Sequence, residues 1–550
     1  MISKESLLKL QRTKSQLETE KEPFVQKWKQ IARNMSSSYG DWGHEAPGTK
    51  RLDETADVFD NTANESSNLM ADGLMGTCFG RSIAWFNMLF EEDDINKDKE
   101  ASKWLAGAEE KIYRQLNRSN FYDEARQLVR MGADFSTAVM WMGDDVEEGM
   151  PYFSMIHPKD CWLMNNRHGK ADTLFRDIWL TRDDAVAEFG EKNLPKTLVE
   201  SEDYTKKWKF CQYVGPATRF KMKDVKGKGA FISVYWCELQ PDKTVREERY
   251  TTKPFVAWRW NRDPEGSAYG TQGPGLMQLS NIITANILSK NILQKSQLIA
   301  SPPIKRTEGL VINLLPAGIT DLKAGQDFAP VNVTGDLSFT EVERERVRKS
   351  IQDAYYTNFF LMLSRSVDKT KTATEVAALM TEQSNIMAAF FNRLADEFLE
   401  PVIEFVYQNE LDNRRLDELP ESIKSIAEKD LKVDFISPMF LIQKLSHATE
   451  NPMKALGQIL QLAQAHPDIL MKIDWDKTVD LIAKGYNVDK QILLDEETYR
   501  KLTAAVQQQR QQQEAIAQQM AQTKLNAETY RDTSKAPEQG SAAEAMINAR

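Results

Sequence analysis

Cysteine is scarce. Cys78, Cys161, Cys211 and Cys237 are the four in 550 residues, far apart and without a CxxC pair. That spacing excludes a disulfide framework and paired Cys/His sites for zinc, and a reducing compartment is the expectation. No run approaches the roughly 18 to 20 continuous apolar residues of a membrane span, so no membrane partner is expected. The opening MISKESLLKLQRTK also lacks the apolar core of a signal peptide. GxxxxGKS/T and HExxH are both missing, which removes ATP hydrolysis by a Walker loop and the helical zinc motif. His157 and His168 sit beside turn signals, and His447 and His466 border helices. No Ser or Cys with an orienting acid is spaced to a known catalytic template, so these histidines read as structural. The acid runs Asp144-Asp145 and 91–94 read as solvated turns, because consecutive acids point in different directions. No catalytic residue, metal or cofactor is assigned, and the chain reads as structural rather than enzymatic.

What is present is a chain of net charge −10, 41% hydrophobic and 28% charged, with mean hydropathy −0.53. Such a balance gives ample core, and its sign argues against coating nucleic acid over the whole surface. Any DNA contact must be local. Length alone suggests three or four domains.

Residues 3–35 read as a helix pair or one interrupted helix, with Pro23 starting the second part. Helices are expected near 59–75 and over 99–131. Between about 133 and 260, short runs rich in Val, Ile, Tyr, Trp and Phe alternate with Gly, Pro and Asp, the pattern of a mixed sheet broken by short helices at 182–190 and 191–207. GTQGPG then leads into an amphipathic helix over 276–300 that carries Lys290 and Lys295 and ends at Ser301-Pro302-Pro303. Asn281, Asn286 and Asn291 recur every five residues, a spacing that keeps no single face and receives no weight. Strand-like pieces separated by Gly and Pro follow over 303–340, with Lys305, Arg306 and Lys323.

The chain is organised around 341–407. One helix starts charged, with Arg344, Arg346, Arg348 and Lys349 among Glu341, Glu343 and Glu345, and turns apolar at Ile351, Tyr355, Phe359 and Leu361. Arg365, Lys369 and Lys371 follow against one acid, Asp368. Thr372 and Glu375 then stand at capping-box spacing, opening a long helix that Pro401 should kink or interrupt. Residues 431–440 read as a strand returning to the sheet, 450–502 as short helices, and the Gln-rich segment beyond as a helix with a thin apolar stripe before a disordered end.

In this order of elements the chain resembles the bacteriophage head-to-tail connecting proteins, the portals of short-tailed phages. The likeness rests on GTQGPG, SPP, the basic loop and TATEV at 372–376, and extends over roughly residues 5–500. The resemblance implies an α+β, mainly helical portal fold with wing, stem, clip and crown, assembled as a ring of twelve at one capsid vertex. By it, residues 1–275 form the N-terminal helices and wing, with the sheet at about 133–260. Residues 276–300 are the first stem helix, 301–340 the clip, 341–362 the second stem helix and 363–373 the tunnel loop. Residues 374–440 are the kinked wing helix and returning strand, 441–502 the crown, and 503–550 a helix or barrel with a disordered tail. It further implies Arg365, Lys369 and Lys371 facing DNA, Lys290, Lys295, Arg344, Arg346, Arg348 and Lys349 lining the channel, and Lys305, Arg306 and Lys323 on the partner surface of the clip. The implied partners are further copies of the chain, double-stranded DNA without sequence preference, the large terminase, major capsid and scaffolding proteins, and tail adaptors. Assembly in the host cytoplasm and residence in the virion complete the expectation.

Residues 276–371 hold twelve basic and nine acidic side chains, a net of +3, so the rest of the chain carries −13. For Arg344 to Lys349 the competing reading is helical ion pairing with Glu341 and Glu345. The competing function is a metal-dependent nuclease using acids of the 133–260 sheet.

Overall fold

The computed structural model describes residues 2–36, 39, 42, 58–91, 95, 98–145, 148–220, 225, 229–308, 310–312, 320–330, 338–364, 387–418, 420, 431–437, 439–440, 456–459, 461–462, 473, 478–479 and 496–533. The chain divides into two units, Met1–Asn451 and Pro452–Arg550.

In the first unit, helix α1 (Lys4–Met35) is continuous, with Pro23 inside it, rather than a pair. An internal proline costs about 3 kcal/mol, and contacts on both sides of it offset that cost. Ahead of the proline, Leu7, Leu10 and Leu17 pack with Trp162, Phe175 and Trp236. Behind it, Trp28, Ile31, Ala32 and Met35 enter the main core. Lys21, two residues before Pro23, donates to the carbonyls of Lys159 at 2.8 Å and Cys161 at 2.7 Å. At the very start of the chain the Ile2 amide donates to Glu247 Oε1 at 2.7 Å.

Helix α2 (Thr62–Cys78) precedes strand β1 (Phe86–Phe90). The helix expected over 99–131 is two, α3 (Lys99–Arg118) and α4 (Phe121–Phe135). Asn120 makes the break: its side chain exchanges two hydrogen bonds, 2.7 and 2.9 Å, with the backbone of Phe153.

The expected mixed sheet is two separate sheets, and every strand pair in them is antiparallel. Strands β2 (Thr137–Asp145), β3 (Met150–Ile156) and β9 (Phe255–Arg259) form one in the order β3-β2-β9. Strands β4 (Cys161–Asn165), β5 (Ala171–Leu180), β6 (Trp208–Pro216), β7 (Phe231–Cys237) and β8 (Gln240–Tyr250) form the other in sequence order. Along β7 the side chains alternate faces as the pleat requires. Ile232, Val234 and Trp236 pack toward α1, while Tyr235 and Cys237 pack under α5 (Arg182–Phe189) and α6 (Lys196–Val199). Both faces are therefore covered, which explains aromatic runs with no polar alternation. All four cysteines are buried and free.

Short strands β10 (Asn261–Arg262) and β11 (Gly270–Thr271) lead to α7 (Pro274–Met277) and α8 (Leu279–Ala300). Strands β12 (Ile304–Arg306) and β13 (Phe328–Pro330) pair antiparallel before α9 (Ser338–Ala354) and α10 (Thr357–Ser364). The single helix expected over 341–362 thus begins earlier and is broken. Helix α11 (Ala388–Leu394) passes through a π-helical turn, Ala395–Leu399, into α12 (Glu400–Asp412). Pro401 does not end the helical run: it stands in the first turn of α12, directly after the π segment that interrupts the α-helix, where its missing N–H costs least. The capping box at Thr372 and Glu375 lies outside the described residues. Strand β14 (Leu431–Phe435) pairs with β1 rather than with either larger sheet. In the second unit, α13 (Glu496–Thr533) starts ahead of the expected boundary at 503.

Candidate nucleic-acid interface and its anchors

The approach to α8 is fixed by close backbone packing. At Gly275 an added Cβ would fall on the backbone of Asp134, so GTQGPG is a packing motif at the end of α4. Ser136, at φ 62°, accepts the Gly273 amide on its Oγ at 2.8 Å.

Two turns into α8, the side chains form a second anchor. Asn286, 4% exposed, accepts the amides of Phe59 and Asp60 at 2.9 and 2.8 Å and donates to the Asn34 carbonyl at 2.9 Å. Asp60 accepts Ser289 Oγ at 2.9 Å and Arg348 Nε at 2.8 Å. Arg348 thus ties α9 to α8 through a carboxylate held low by its hydrogen-bond donors, which outweigh its burial. Sequence reasoning passed over Asn286 and Asp60. The usable signal was one amide on the apolar side of α8, not the five-residue recurrence.

Of the other basic residues on α9, Arg346 pairs with Glu343 at 2.6 Å and Arg344 with Glu345 at 3.3 Å, while Arg348 also reaches Glu345 at 2.8 Å. All three arginines have acid partners within the chain, but only Arg346–Glu343 and Arg348–Glu345 are helical i,i+3 pairs. Arg344 meets its neighbour Glu345, Arg348 also binds Asp60, and no pair forms with Glu341 among the described contacts. Lys349 is exposed. On α8, Lys290 lies 5.2 Å over the Phe59 ring and Lys295 is half-buried. Lys305 and Arg306 stand on β12, and Arg306 Nη1 donates to the Leu310 carbonyl at 2.5 Å. Lys323 is exposed, its backbone amide donating to Gln326 at 3.1 Å. Arg365, Lys369 and Lys371 lie outside the described residues.

The distal parts of α8 and α9 are open: α8 is mixed there, with Ile292, Leu293, Leu298 and Ile299 among polar residues, and α9 is mainly charged with two apolar residues, Phe339 and Val342. From 291 to 300 and from 338 to 346 every residue is exposed or half-buried, and Ile299 (54%), Phe339 (79%) and Val342 (68%) are widely accessible. These four-tenths-or-more exposed apolar side chains, Leu293, Leu298, Ile299, Phe339 and Val342, stand on one helix pair.

Where α9 gives way to α10, Tyr356 adopts φ 54°, a left-handed conformation costing a tyrosine about 1–2 kcal/mol. Tyr355 is fully buried and donates to Asp134 Oδ1 at 2.6 Å. The same carboxylate accepts Ser67 Oγ at 2.8 Å and the Tyr39 hydroxyl. Burial pushes the Asp134 carboxyl up, against the pull of these donors. Charge-assisted bonds to a buried carboxylate, about 1.5–3 kcal/mol each, cover the cost at Tyr356.

Beyond α11, Glu397 projects from the π-helical turn between the buried Arg259 and the exposed Arg262. It accepts Arg259 Nη2 at 2.7 Å, Arg259 Nε at 3.2 Å and Arg262 Nε at 3.0 Å. Arg259 is 1% exposed and also donates to Asn165 and to the Gly169 carbonyl. The pair locks the helix to both sheets.

Asp144 is bound by Arg415, Asn409 and Asn413. His157 donates from Nε2 to the Tyr39 carbonyl at 2.8 Å and accepts the Lys159 amide on Nδ1, with burial lowering its pKa to about 4. Among the described residues, no group of three or more His, Cys, Asp or Glu could hold a metal, and no helix is long and apolar enough to cross a membrane.

The family model described as "Bacteriophage head to tail connecting protein" matches residues 8–493. The chain is 25% identical over 529 residues to a probable portal protein of Bordetella phage BPP-1, covering 94% of this chain and 93% of that one. It is also 25% identical over 485 residues to the portal protein of Salmonella phage epsilon15, covering 84% of each. Among solved structures, the neck of an empty gene transfer agent particle aligns at TM-score 0.32 and 9% identity over 71% of this chain and 85% of that one, too low a score to carry a structural argument.

Proposed function

The chain belongs to the bacteriophage head-to-tail connecting protein family, and from that premise we propose that it is a portal: a ring of identical subunits, twelve by family resemblance, that conducts double-stranded DNA through one capsid vertex and docks the packaging motor and tail. The observation that carries the reading is the set of exposed apolar side chains, Leu293, Leu298, Ile299, Phe339 and Val342, among charged residues on the distal half of the α8–α9 pair, which bears the small β12–β13 module at its tip. Neighbouring subunits would cover those side chains and leave the charged edges toward the channel. The β12–β13 module, with Lys305, Arg306 and Lys323, is the docking surface for the terminase and later the tail adaptors, while the outer sheets meet capsid and scaffolding proteins. The protein works in the virion and performs no covalent chemistry.

DNA must slide, so binding has to be weak at each contact. Every neutralised phosphate adds salt-dependent affinity, and a dense basic patch repeated round a ring would arrest the duplex. A segment of net +3 in an acidic chain suits passage. With Arg344, Arg346 and Arg348 already paired to acids, the contact falls to Arg365, Lys369 and Lys371, which meet the backbone by charge without reading base edges. Replacing these three by Ala together should leave rings intact in electron micrographs and cut DNA packaging or retention at least tenfold. Rings that package and retain DNA normally remove the segment from the mechanism.

A further inference from the structure

Residues 338–364 contain neither glycine nor proline, and local preference alone would run them as one helix. The helix nevertheless stops after Ala354 and restarts at Thr357, with Tyr356 in the left-handed region that normally calls for glycine. Two tertiary contacts hold it so. On one side Tyr355 donates to Asp134, which lies at the end of α4 where GTQGPG also packs. On the other, Phe360 lies against Gly73 of α2, so closely that any Cβ there would collide with its ring. Helix preference and tertiary packing thus pull against each other at one residue, the kind of local conflict that occurs at strained or functional sites.

We infer that the Tyr355–Asp134 hydrogen bond is the latch of a two-state helix. Latched, residues 338–364 are broken at Tyr356 and α10 lies on α2. Released, they run as a single helix, Phe360 leaves Gly73, and the end of α10 at Ser364 is re-aimed. That this redirects a DNA-contacting segment rests on the portal reading above, because residues 365–371 follow Ser364 directly in sequence.

The first-turn amides of α10, on Thr357, Asn358 and Phe359, precede the first bond of that helix, from the Phe360 amide to the Tyr356 carbonyl. In a continuous helix all three would gain partners in the preceding turn. Hydrogen exchange by mass spectrometry on the full-length protein therefore reads the latch directly. Tyr355→Phe, which keeps the ring and removes only the hydroxyl, should slow exchange at 357–359 several-fold and speed it in the α2 peptide around Gly73. Unchanged or faster exchange at 357–359 overturns the latch, since plain loosening moves those amides the other way. Should that variant fail to fold, Tyr356→Ala and Tyr356→Gly make the same distinction. Alanine favours the continuous helix and should slow exchange, while glycine accepts the left-handed conformation and should not; equal behaviour of the two overturns the proposal. DNA retention measured on the same samples separates the two claims. Altered exchange with normal retention keeps the latch and removes its link to DNA.

Discussion

Among the described residues, Lys21 and Lys253 are the two lysines whose environment most opposes their charge. Burial lowers each to about pKa 8, against an ordinary 10.5. Lys21 is held by two carbonyls and lies 4.5 Å over the Trp162 ring, while Lys253 donates to the Ala171 carbonyl at 3.3 Å and lies 5.0 Å over Phe255. Because both folded values fall below the unfolded one, the unfolded chain binds more protons between about pH 8 and 10.5. Stability therefore climbs with pH in that window and is lost as pH falls through 8. Between pH 8 and 9, below the ordinary cysteine value of 9.0, each lysine should add up to about 1 kcal/mol. Denaturant midpoints at the two pH values should rise in the natural protein and stay level in the Lys21→Met/Lys253→Met variant. A rise of equal size in both proteins would assign the slope to other groups.

The π-helical turn at Ala395–Leu399 lets one helical run hold both Glu397 and Pro401. Glu397→Ala would leave Arg259 as an unpaired buried cation, a loss of about 3–5 kcal/mol. The midpoint of the first denaturant transition should drop accordingly, and a change under about 1 kcal/mol would show that water reaches the site. At this scale the sequence was partly legible. Leu7, Leu10, Leu17, Trp28 and Ile31 announced α1 by their spacing, and the aromatic runs announced strands. What stayed hidden was set by distant partners. Nothing near Pro23 reveals that Lys21 will meet the Lys159 and Cys161 carbonyls, nothing near Tyr356 reveals Asp134, and no local pattern assigns β14 to β1. The basic residues were found by type, but their fate was not: Arg348 is bound by Asp60, 288 positions away.

For the whole molecule, the exposed apolar side chains on α8 and α9 make assembly the main test. Ile299→Asp with Phe339→Asp places two charges where a neighbour would pack, on residues already 54% and 79% exposed. The thermal midpoint of the isolated chain should hardly move. Mass photometry should show rings replaced by the 62.9 kDa subunit; rings surviving the double change would put the contact surface elsewhere. Order on the ribosome follows from the reach of α1. Its first residues settle against Trp236 and Glu247, which emerge some 240 positions later. At roughly 5–20 residues per second, the helix must wait on the order of 10 to 50 s with its leucines uncovered. Until those residues emerge the leucines of α1 stay exposed, and a truncation before residue 236 would leave α1 without the Trp236 and Glu247 contacts.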